Sequence, residues 1–157
     1  MAAVAVVLCG TAKVHAAADC AVSAVSLNFD FYDPLATAPD DSVGAVTVTC
    51  NYVSSGATRV NYRVTISNGM NGPSPVARQL GSGTSRLGYN VFANPARSQV
   101  WGTGTGGTVI ASGSMTLGPG NGNRTRTSTH PVYGRIPQLQ DAVPGAYNDT
   151  LVVTLTY

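Results

Sequence analysis

Tyr147-Asn-Asp-Thr-Leu-Val-Val-Thr-Leu-Thr-Tyr157 is the stretch that decides the fold. Leu151, Val153, Leu155 and Tyr157 alternate with Val152, Thr154 and Thr156. A period of two, rich in β-branched residues, marks a strand with one apolar face. The strand runs to the last residue of the sequence, with nothing after it to cover its open side. Such a strand needs a partner, and the identity of that partner is the functional question.

Outward from this strand the same alternation recurs between Gly, Pro and Asn turns. Strands are expected over Cys20–Phe31, Val43–Tyr52, Val60–Ser67, Leu87–Phe92, Thr108–Leu117 and Thr125–Ile136. Cys20, Val22 and Ala24 share one face, and the phase then shifts to Val25, Leu27, Phe29 and Phe31, which predicts a bulge. Val46, Val48, Cys50 and Tyr52 fall together, as do Val60, Tyr62, Val64 and Ile66, with Arg63 and Thr65 facing out. About seven short strands and no helix imply two packed sheets or a barrel.

Residues 1–18 read as a leader. Ala2–Leu8 is a short apolar run, and Ala16-Ala17-Ala18 is a small-residue cleavage site before Asp19, as in a secretory signal peptide. The run is too short to span a membrane. The working domain is then 19–157. It keeps eight Arg and seven Asp, with no Lys and no Glu, for a formal charge of +1. No basic stripe points to nucleic acid. Of three cysteines, Cys20 and Cys50 remain; an even count in an exported chain predicts a disulfide between them. Closing a loop of about thirty residues stabilises by roughly 3–4 kcal/mol in the chain-entropy account. Export through the periplasm to the cell surface follows.

Catalytic chemistry has little to draw on. The working domain has one imidazole, His130, and no G-x-S-x-G elbow, so a hydrolase triad is not expected. Two Cys and one His at no recognised spacing make a poor zinc site. Gly102-Thr-Gly-Thr-Gly-Gly107 precedes Thr108-Val-Ile110, a strand pattern, so it reads as a wide turn and not a phosphate loop. Asp30, Asp33, Asp40 and Asp41 read as solvated loop carboxylates; no EF-hand is present, and a chain without Glu lacks its closing ligand. Asn123-Arg-Thr125 and Asn148-Asp-Thr150 match the glycosylation acceptor pattern. No cofactor is expected.

Several blocks in order carry a resemblance. They are Phe29-Asp-Phe-Tyr-Asp-Pro34, with Asp30 where Gly is usual, Val46-x-Val-x-Cys50, and Tyr62-x-Val-x-Ile-Ser-x-Gly69. Arg78-Gln-Leu80, Leu87-x-Tyr-Asn-Val-Phe92, Val100-Trp-Gly-Thr-Gly104 and Tyr133-Gly-Arg-Ile-Pro137 with Gln140 follow, and Gly145-x-Tyr-x-Asp-Thr-Leu-x-Val-Thr-Leu-x-Tyr157 closes the set. Together they resemble the spore coat protein U domain, found also in subunits of archaic (Csu-type) chaperone–usher pili. The resemblance implies an incomplete immunoglobulin-like β-sandwich, pilin-like and lacking its last strand. Its groove would be filled first by a periplasmic chaperone, delivered through an outer-membrane usher, then by a neighbouring subunit's donor strand. Leu151, Val153, Leu155 and Tyr157 would line that groove.

Cys20 directly follows Asp19, so cleavage after Ala18 leaves nothing to donate. The expectation is a non-enzymatic subunit that accepts a strand and gives none, as at an adhesive fibre tip with a role in biofilm formation. A spore or cell coat protein is the alternative within the same assembly chemistry. A carbohydrate-binding module, with Trp101 and nearby Tyr residues as stacking platforms, is the alternative of another class.

Overall fold

The computed structural model describes residues 2–9, 17–54 and 56–157. Ten strands occur among the described residues: β1 Ala2–Cys9, β2 Ala18–Val25, β3 Leu27–Phe29, β4 Asp40–Tyr52, β5 Thr58–Ile66, β6 Arg78–Ser82, β7 Ser85–Phe92, β8 Ala111–Leu117, β9 Thr125–Ile136 and β10 Tyr147–Thr156. The all-β expectation holds, and no helix of the described residues is long and apolar enough to cross a membrane.

One layer runs β2-β4-β9-β7 and the other β8-β5-β10-β1-β3; β6 forms a hairpin with β7 and meets β10 at Gly81 opposite Asn148, joining the two. Alternation builds the core. Val46, Val48 and Cys50 of β4 face Val60, Tyr62, Val64 and Ile66 of β5 and Leu151, Val153 and Leu155 of β10, all buried. Each such side chain contributes about 1.5–3 kcal/mol by leaving water. Cys20 and Cys50 sit directly opposite in the β2–β4 ladder and are disulfide-bonded.

The expected bulge in Cys20–Phe31 is a break. Ser26 belongs to no strand, β2 pairs with β4 in one layer, and β3 pairs with β1 in the other. The chain changes sheets there, which is why the apolar phase shifts. Val25 and Phe31 are exposed as a result, and only Leu27 and Phe29 of that expected face enter the core. The strand count exceeds the expectation for three reasons. The β2–β3 split is one. β6, with Arg78, Gly81 and Ser82, shows no apolar alternation. β1 falls in the segment read as a leader.

Candidate functional site

The last strand has two different flanks. On one side, Val153–Thr156 of β10 pair antiparallel with Ile66–Arg63 of β5. On the other side lies a slot one strand wide, bounded by β10 and by β3. Strand β1 occupies it. Ala2 to Cys9 pair with Tyr147 to Thr154 in parallel, and Ala2 to Val4 pair antiparallel with Phe29 to Leu27. The β1–β10 pairing is parallel, unlike the other pairings between named strands among the described residues.

The inner wall of the slot is apolar. Leu151, Val153 and Ile66 face Leu27, Val46 and Val132 across a narrow cavity of about 20 Å³. Of the residues expected to line the groove, Leu151, Val153 and Leu155 are buried on one face of β10. Tyr157 stands past the strand end, 43% exposed, with its hydroxyl 3.4 Å from Asp19 Oδ1.

At the Tyr147 end the slot opens on an apolar cavity of about 290 Å³, lined by Phe31, Tyr32, Leu87, Val143, Pro144 and Tyr147 among others. Phe31 is 83% exposed at its rim. Two loops form this mouth, and Tyr32 ties them together: its hydroxyl donates to Pro137 O at 2.9 Å and accepts from Gln140 N at 2.8 Å. Gln140 in turn mimics a paired strand. Its Oε1 accepts from Gly88 N at 2.8 Å and its Nε2 donates to Gly88 O at 2.9 Å. A Cβ on Gly88 would lie 2.9 Å from that Oε1, so any larger residue there would push the Gln140 amide aside.

Two buried charges hold β10 and the slot wall in place, and neither was singled out from the sequence as a site. Asp149 and Arg78 are each 1% exposed. Asp149 accepts from Met70 N at 2.8 Å, Thr150 N at 2.9 Å, Asn71 Nδ2 at 3.2 Å and Tyr89 Oη at 2.9 Å. Arg78 donates to the carbonyls of Ser67, Pro75 and Trp101 and to Asn90 Oδ1. Burial pushes the Arg78 guanidinium down to about 10, opposed by the nearby Tyr89 and Asp149, so it stays charged at neutral pH. Burial, and then the Asp149 charge, push the Tyr89 phenol up. The signal for Asp149 was present: it keeps the parity of Tyr147, Leu151 and Val153, which places a carboxylate on the inward face.

Other candidates resolve locally. Trp101 is 0% exposed, with Nε1 donating to Val64 O at 3.0 Å. It cannot stack on a sugar, which corrects the expectation of a binding platform. The glycine-rich turn has positive φ at Gly104, Gly106 and Gly107, and its Thr103 and Gly104 amides donate to Thr108 Oγ1. His130 lies within β9, its Nε2 2.9 Å from Tyr62 Oη, and burial lowers its pKa. Asp41 is held by Arg135 at 2.7 Å and 2.8 Å and by Arg97 at 3.2 Å.

The comparisons with known proteins agree with this architecture. Protein U of Myxococcus xanthus is 28% identical over 138 residues, covering 84% of this chain and 72% of the relative. Among solved structures, a chain of the CsuC–CsuE chaperone–tip adhesion subunit pre-assembly complex, from the archaic chaperone–usher Csu pili of Acinetobacter baumannii, is similar with a TM-score of 0.56. It is 21% identical, and the match covers 89% of this chain and 40% of that one, a likeness of fold. Residues 7–154 match the Spore Coat Protein U domain, and with nearly the whole sandwich inside that span the chain belongs to this family.

Proposed function

We propose that the protein is an exported, non-enzymatic structural subunit of a bacterial surface fibre, assembled by strand addition beside β10. One observation carries this reading: β10 offers a full-length flank that the rest of the sandwich does not pair, and a single extra strand completes it. Without that strand the backbone groups of Tyr147–Thr154 and the apolar wall at Leu151 and Val153 would face water. That is an aggregation hazard which an added strand removes. Main-chain hydrogen bonds would give the affinity and alternate side chains the specificity.

The partners that fit are a periplasmic chaperone, an outer-membrane usher and neighbouring subunits. Surface display in a fimbria, a tip position and a role in adhesion and biofilm formation belong to the same reading, supported by the family and the similarity to a Csu complex. A coat layer is the second reading, favoured by membership of the Spore Coat Protein U family.

The test is production of residues 19–157 in a periplasm, with and without a co-expressed chaperone of the archaic chaperone–usher class. The expected result is aggregation alone and a soluble stoichiometric complex with the chaperone. A stable monomer of residues 19–157 without any helper overturns the proposal. Fibres on cells, decorated by antibody and lost with usher deletion, separate the fibre from the coat.

A further inference from the structure

The strand that fills the slot is the chain's own. Ala2–Cys9, within the 1–18 segment read from sequence as a removable leader, lie along β10 over eight residues and pair with β3 on their other edge. Ala2, Val4, Val6 and Leu8, all apolar, hold the register positions opposite Tyr147, Asp149, Leu151 and Val153, whose own side chains are buried.

β1 ends with Cys9 opposite Thr154, and β2 begins beside the end of β10, where Tyr157 Oη lies 3.4 Å from Asp19 Oδ1. The end of β1 and the start of β2 thus lie at the same end of β10, and a strand on the same polypeptide as its slot pairs at an effective rather than a bulk concentration.

The bond expected to be cleaved, Ala18–Asp19, is itself inside β2. Ala18 is 4% exposed and pairs with Tyr52, and the Ala17 carbonyl accepts from Val53 N at 2.9 Å. A protease needs this stretch unpaired, so the folded chain conceals its own processing site.

We infer that Ala2–Cys9 form a built-in plug: a chain that retains them folds as a closed monomer with its slot filled in cis, and only cleavage before folding opens the slot to an outside strand. Retention or removal of one segment thus selects between a self-sealed form and an assembly-competent one. What the open slot receives rests on the proposed function; the pairing in cis does not.

Cys9 provides the test. In the full chain carrying Thr154→Cys, adjacent strands about 4.8 Å apart bring positions 9 and 154 within disulfide range. Non-reducing peptide mapping of the monomer should show Cys9 linked to position 154 beside Cys20–Cys50; Thr116→Cys, at an exposed position of β8, should stay unlinked. In the unmodified full chain, the amides of residues 2–9 should resist hydrogen exchange as β10 does. Val6→Pro should abolish that protection and make the full chain aggregate. A 9–154 link found only between two chains overturns the cis plug and leaves strand addition standing. Unprotected amides at 2–9, or a Val6→Pro chain as soluble as the parent, overturn it as well. A soluble monomer of residues 19–157 sinks the proposed function instead, whatever the mapping shows.

Discussion

Tyr89 Oη donates a 2.9 Å hydrogen bond to Asp149 Oδ2, linking β7 to the strand that borders the slot. Both groups are buried, so the carboxylate depends on its protein donors for the solvation that water would otherwise supply. The same carboxylate receives the Met70 amide, so one side chain secures the 67–77 connection and β10 together.

Tyr89→Phe removes one donor from a buried charge and is expected to cost about 1–3 kcal/mol. Asp149→Ala strands the Met70 and Tyr89 donors at once and should cost more. Urea unfolding of each variant measures both; an unchanged midpoint in Tyr89→Phe means that the bond contributes nothing.

Gly69 has φ +83° and sits against the Asp149 carboxylate, where any Cβ would overlap Oδ2. Gly69→Ala should therefore combine left-handed strain of about 1–2 kcal/mol with displacement of the carboxylate. A Tm lowered by several degrees is the expected readout. A variant as stable as the parent would show that the loop relaxes freely.

The Cys20–Cys50 bond spans thirty residues and ties β2 to β4. Replacing both cysteines by Ser is expected to lose roughly 3–4 kcal/mol, read as a lower denaturant midpoint. Mass spectrometry of the parent without reductant should find this pair linked.

Asp40 and Asp41 are neighbours with opposite electrostatics. A hydrogen bond from Arg135, with the charges of Arg135 and Arg97, holds the Asp41 carboxyl below the usual range against partial burial. Its stabilisation is present above the unfolded carboxyl pKa and is lost as pH falls through the lower folded value. Burial, and then the charges of Asp30 and Asp41, push Asp40 up, and its Oδ2 has no partner. Its charged form costs stability above its raised pKa, and the cost disappears on protonation. At pH 7, Asp41→Asn should destabilise by up to about 1 kcal/mol, while Asp40→Asn should be neutral or stabilising. Both differences should shrink as pH falls, the Asp40 difference first and the Asp41 difference only as pH passes down through its lowered folded pKa. Chemical denaturation from pH 3 to 8 tests the two signs separately.

Much of the core was legible because β-strand side chains alternate with a rigid period. β9 matches its expected bounds, Thr125–Ile136, and the inward set Val60, Tyr62, Val64 and Ile66 of β5 is buried as read. Periodicity failed where the partner changes. It marked a phase shift near Val25, yet only pairing to two different sheets shows that Ser26 is a crossing point. Trp101 shows the converse: an aromatic beside glycines reads as exposed, and only packing against the Val64 carbonyl buries it.

The local pattern of Tyr147–Tyr157 determined by itself that β10 is a strand with an apolar face, because alternation depends on near neighbours alone. Which strand lies against its free edge is a matter of residues far apart in sequence. Only the tertiary structure set Ala2–Cys9 there, and only it turned Asp149 toward Tyr89 and Met70. Short-range sterics fix the strand, whereas long-range pairing must also repay the entropy of bringing distant segments together, and no local pattern records that balance.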